Sequence, residues 1–145
     1  LRRWELNPGR YFGSLVWQLK KRKIKLFRWH VAGDIPSEAY LDGMIKVAKA
    51  VPGCRFLCFT KRYSWVQGIK FSENFTVVLS AWPGLELPKT ELPIAFMQDG
   101  TETRIENAVE CKGGCAICGK CWALPTMGKN VTFPLHGPTS KKKKK

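Results

Sequence analysis

The chain has 145 residues, 44% of them hydrophobic, which is enough for one domain with a real core and too apolar for disorder to be the default. No apolar run is long enough to span a bilayer and no signal peptide opens the chain, so neither a membrane protein nor an exported one is expected. The formal charge is +14 but unevenly spread: residues 1–28 carry nine Lys and Arg against one acid, residues 141–145 are all lysine, and the body between is nearly neutral.

Taken in order, Asn7 and Pro8 make a helix start. Phe12, Leu15, Val16 and Leu19 then recur at i, i+3, i+4 and i+7, the stripe of an amphipathic helix. Lys20, Lys21, Arg22 and Lys23 close it. Cations suit the negative end of a helix dipole, and the same cluster could grip nucleic acid without regard to sequence. Residues 24–31 read as a strand, rich in β-branched and aromatic side chains. A second helix starts at Pro36 with Ser37 as N-cap, buries Leu41, Met44, Ile45 and Ala48, and stops at Pro52 and Gly53. Gly43 inside it is expected to cost up to about 1 kcal/mol. Residues 54–60, 75–81 and 93–97 read as three more strands, with a short helix or loop near 64–70. Cys58 is expected as a small core residue.

Strands alternating with helices and connectors predict an α/β domain with parallel strands, and four strands predict an open or partial barrel rather than a closed one. In such folds ligands sit at the carboxyl ends of the strands. Here those ends carry His30, Gly33 and Asp34, then Thr60 and Lys61, then Ser80, then Gln98 and Asp99. The functional reading is a cleft for a small molecule, with His30 transferring protons, Asp34 and Asp99 orienting polar groups and Lys61 holding a carboxylate or phosphate. Gly33, Thr60, Ser80 and Gln98 would line it. The plain alternative is that strand ends simply become polar where they meet water. On the functional reading, loss of the Asp34 carboxylate would be felt in ligand binding more than in stability.

The densest chemical signal follows. Cys111, Cys115, Cys118 and Cys121 place four thiols in eleven residues, spaced C-x3-C-x2-C-x2-C. The loops between them are too short to bury separate side chains, Gly113, Gly114 and Gly119 allow tight turns, and Lys112 and Lys120 favour thiolate over thiol. The pattern predicts a metal site with sulfur ligands. Zinc sites of four cysteines come as two C-x2-C knuckles with a longer loop between them; uninterrupted runs wrap iron–sulfur cubanes. A 4Fe-4S cluster is therefore the first reading, structural zinc the second, and disulfides or free thiols the third. The chain divides accordingly into an α/β core at 1–100, a cysteine-rich metal segment at 101–136 and a disordered lysine tail at 137–145, native or added.

Residues 27–41, FRWHVAGDIPSEAYL, and 55–61, RFLCFTK, resemble the bacteriophage gene product 88 family, and the cysteine run ending in Cys121 and Trp122 is similar to that of some members. The resemblance covers about residues 3 to 122. It implies a partial barrel with cysteines, similar at the level of fold to radical S-adenosylmethionine proteins. These hold three irons on C-x3-C-x2-C, as Cys111, Cys115 and Cys118 are spaced. Six cysteines without an export signal point to a reducing compartment, the cytoplasm of a bacterial host, where a cysteine cluster more often means metal than disulfide. Members carry a further N-terminal segment with its own cysteines that this sequence lacks, so either a minimal or truncated version or a separately encoded segment is expected. Three readings remain: a metal-binding, iron–sulfur protein with radical chemistry at the strand ends, a zinc-stapled module that docks its basic first helix on nucleic acid, or an inert remnant whose missing N-terminal segment held the activity.

Overall fold

Asn7 accepts a hydrogen bond from the Arg10 backbone N–H at 2.9 Å and Pro8 fills the first turn, so helix α2 runs Pro8–Lys21 after a short α1, Arg3–Leu6. This is a computed structural model, and it describes residues 3–98 apart from residue 83, together with residues 105–134. Ser37 caps helix α3, Glu38–Ala50, by accepting from the Tyr40 N–H at 3.1 Å. The stripe of α2 lies on α3, with Leu19 buried and Phe12, Leu15 and Val16 packed beside it. Gly43 is required by that contact, because a Cβ there would stand 2.2 Å from Phe12 Cε2. The helix-propensity cost of glycine is thus set against a close approach that any larger residue would open by displacing the Phe12 ring.

Six strands form one parallel sheet: β1 Leu26–Arg28, β2 Arg55–Thr60, β3 Phe75–Ser80, β4 Ile94–Gln98, β5 Ala108–Glu110 and β6 Asn130–Pro134. Their order is β1-β2-β3-β4-β6-β5, an open half-barrel, as the sequence predicts in class. The four expected strands are present, and β5 and β6 are two more on either side of the cysteine run. The first strand is shorter than expected: Lys23 and His30 take positive φ, 52° and 48°, and bound it on both sides. Between β2 and β3 lies a short helix α4, Tyr63–Val66.

Alternation along the strands divides the core in two. Phe56, Cys58, Val77 and Leu79 face the helices, where they meet Leu41, Met44 and Val47. Leu57, Val78, Ala95 and Val131 face the other way and are covered by Trp122 and Leu124 from the β5–β6 connection. That connection contains the four clustered cysteines, a short helix α5, Cys115–Cys118, a 3₁₀ turn, Lys120–Ala123, and a short α6, Leu124–Met127. Asp99 and the lysine tail at 137–145 lie outside the described residues.

Candidate functional site

The cysteine segment is a crossover between neighbouring parallel strands. It leaves the carboxyl end of β5, passes over the sheet face opposite α2 and α3, and returns as β6 between β4 and β5. Cys111 N–H donates to the Thr132 carbonyl at 2.8 Å, which fixes its start. Gly113, Gly114 and Gly119 all take positive φ, as tight turns of this kind require. Trp122 is the anchor, buried to 5% exposure. Its indole N–H donates to the Phe27 carbonyl at 3.2 Å, and its own carbonyl accepts from Thr76 Oγ1 at 3.0 Å and from Arg55 Nη2. These bonds tie the crossover to β1, β2 and β3 at one residue.

Cys111, Cys115 and Cys121 pack at the edge of the inner cluster, Cys118 is exposed, and all four thiols are free. Burial pushes the Cys121 thiol up to about 11, the charges of Cys111, Cys115 and Cys118 push it the same way, and Arg28 opposes them. Cys121 is therefore within electrostatic reach of the other three sulfurs. The four do not converge on a point: among the described residues no three or more His, Cys, Asp or Glu side chains stand in a metal-holding arrangement. Four soft sulfur donors suit zinc or an iron–sulfur cluster by chemistry. Cys54 and Cys58 lie on the helix face, fully buried, their thiols raised by burial to about 11 and about 12, apart from the crossover.

Arg28 was not among the sequence-based candidates. It ends β1 on the crossover side of the sheet, with Nη1 3.5 Å from Cys115 Sγ and its guanidinium 4.9 Å from the centroid of the Phe59 ring. Its Nε is buried without a hydrogen-bond partner. Alternation along Phe27, Arg28 and Trp29 was the available signal, since it puts Arg28 on the face opposite two aromatic core residues. What that face meets could not be read without the crossover.

The strand-end candidates come together in part. Asp34 accepts from Thr60 Oγ1 at 2.6 Å, from the Lys61 N–H at 2.8 Å and from the Ile35 N–H at 2.7 Å. Thr60 Oγ1 in turn accepts from the Arg62 N–H at 2.9 Å. Asp34 and Thr60 thus stitch the β1–α3 loop to the end of β2, beside Gly33 at φ 88°. Lys61 Nζ lies 3.8 Å from the centroid of the Trp82 ring. The Ser80 carbonyl accepts from the Tyr63 hydroxyl. His30 is packed against Tyr40 and Trp29, its Nε2 is buried without a partner, and burial lowers its pKa while the Asp34 charge partly restores it. Gln98 ends β4, half-buried, and Asp99 falls outside the described residues.

On the far side, Lys20 and Lys21 end α2, Arg22 caps it and all are exposed, with Lys23 following. Lys21 Nζ stands 4.4 Å from the centroid of the Trp17 ring, itself 59% exposed. Among the described residues no helix is long and apolar enough to cross a membrane. A family model, gene product 88, matches residues 9–83, just over half of the chain and short of the cysteine run. No match was found among curated proteins or solved structures.

Proposed function

The chain belongs to the gene product 88 family, and we propose that it is a metal-binding protein whose centre forms on Cys111, Cys115, Cys118 and Cys121. One observation carries this reading. The crossover is tied down at Trp122, and Cys111, Cys115 and Cys121 pack beside it against the same inner cluster. Thiols crowded in this way repel one another as thiolates, and a cation between them removes the repulsion. An iron–sulfur cluster is the first reading, for the uninterrupted spacing, and it would supply one-electron transfer; zinc is the second and would staple the crossover to the sheet. Radical S-adenosylmethionine chemistry is the finer reading and rests on Cys111, Cys115 and Cys118 alone. It needs an iron with a free position, which Cys121 as fourth ligand would close.

Protein purified without oxygen is expected to carry iron and sulfide, or zinc, and each of the four Cys→Ser variants is expected to lose it. Cys54→Ser and Cys58→Ser should keep it. Full metal content in the four variants, or none in the parent after reconstitution with iron and sulfide or with zinc, would end the reading. The exposed Trp17 with Lys21 over it favours a second role, docking of α2 on nucleic acid, since an aromatic face beside cations suits bases and phosphates.

A further inference from the structure

We infer that Arg28 is the counter-cation of the thiolate centre, a positioning residue that binds no metal itself but sets how tightly the four sulfurs hold it. The inference rests on the metal reading above. Four thiolates around a divalent cation, or around a cubane carrying the same charge, leave two negative charges to be offset. Lys112 and Lys120 lie within the run, but both are exposed, where water and salt screen them. Arg28 approaches from the protein side. Its Nη1 is 3.5 Å from Cys115 Sγ, within the wide range in which sulfur accepts, and the Phe59 ring supports the guanidinium plane.

Two further facts point the same way. Arg28 is half-buried and among the described residues meets no carboxylate, although a charge drawn partly out of water favours an anionic partner. Its Nε N–H is buried and unsatisfied, a costly state for a group with five donors unless a diffuse negative charge lies beside it. Of the groups that Arg28 contacts among the described residues, the Cys115 sulfur is the one able to carry that charge. Residues of this kind hold a metal ligand's charge and orientation without touching the metal.

The test is a zinc titration against a competing chelator, in reduced full-length protein, with cobalt(II) absorption as the count of sulfur ligands. Arg28→Gln is expected to weaken zinc roughly 10–100-fold while leaving the cobalt spectrum that of four thiolates. Arg28→Lys, which keeps the charge, is expected to recover most of the loss. If the centre is loaded with an iron–sulfur cluster instead, Arg28→Gln lowers its reduction potential, by about 59 mV for each tenfold drop in preference for the reduced form. Arg28→Gln binding zinc within twofold of the parent overturns the inference, as does an Arg28→Lys variant as weak as Arg28→Gln. If Arg28→Gln does not fold, Arg28→Lys decides: a loss of less than tenfold supports the role, and a loss as complete as that of Cys115→Ser overturns it. Should the Cys→Ser variants bind zinc as tightly as the parent, it is the metal reading itself that has failed.

Discussion

Replacing Asp34 with alanine should destabilise the fold by about 3–4 kcal/mol. The magnitude follows from its three hydrogen bonds, two of them to the end of β2, 26 and 27 residues away. A hydrogen bond to a charged group contributes roughly 1.5–3 kcal/mol. The bond from Thr60, 1% exposed, counts in full because water cannot replace the acceptor. Lys61 is exposed and Ile35 is the next residue in the chain, so their N–H groups recover part of theirs. Asp34→Asn separates the contributions. An amide oxygen in place of Oδ1 keeps Thr60 and Ile35, while an NH₂ in place of Oδ2 faces the Lys61 N–H, donor against donor. Its expected cost is roughly 1–2 kcal/mol. Urea unfolding at neutral pH, read as a shift of midpoint at constant slope, measures both. An alanine variant within about 0.5 kcal/mol of the parent, or an asparagine variant as damaged as alanine, would refute the reasoning.

Trp122→Phe removes the indole N–H and leaves the Phe27 carbonyl without it; a loss of about 1–3 kcal/mol is expected, with faster amide exchange across residues 111–129, and unchanged exchange there would count against Trp122 as the anchor. Burial lowers the His30 pKa below its ordinary 6.5, so the unfolded chain takes up the proton first. The stability this group contributes is full above that value and is lost as pH falls from it toward the lowered folded value. His30→Asn, which tolerates the positive φ, should flatten the urea midpoint between about pH 7 and 5, and a slope identical to the parent's would exclude His30 as its source. Replacing Lys20, Lys21, Arg22 and Lys23 with glutamine should keep the fold and flatten the salt dependence of any nucleic-acid binding by about 0.9 for each phosphate no longer neutralised; an unchanged slope removes α2 from that role.

The helices were legible because their ends are written locally: Asn7 and Ser37 cap within three residues of themselves. β2 and β3 were legible because both their faces are buried, which makes continuous apolar runs. β5 is Ala-Val-Glu, too short to show a period, and the Val-Thr-Phe of β6 is a weak signal beside the cysteine run that precedes it. Their placement, with β6 inside β5, depends on pairing that no local pattern encodes. The same limit explains the site. The cysteine spacing is a local signal, whereas Arg28 meets Cys115 across 87 residues of chain and Trp122 meets Phe27 across 95. Asp34 was visible as a polar strand end, but its bonds to Thr60 and Lys61 were not. Gly43 was read by helix propensity, and only the crossing of α2 and α3 shows why the residue is there.

β6 follows β5 in the chain but takes the place beside β4. During synthesis the β4 edge therefore stays bare after β5 has emerged, and β5 has no neighbour to join until residues 130–134 arrive. Unpaired edges of this kind are where nascent chains go astray. The cysteines are made in that same interval, on a strap whose start at Cys111 has no β6 to bond and whose tie to the earlier strands comes only with Trp122. On the metal reading, a metal, or an oxidant, would meet the four thiols at their most open between the making of Cys121 and the seating of β6. Ribosomes paused before residue 130 would lengthen that interval, and a chain loaded during it would carry its centre into the sheet already closed.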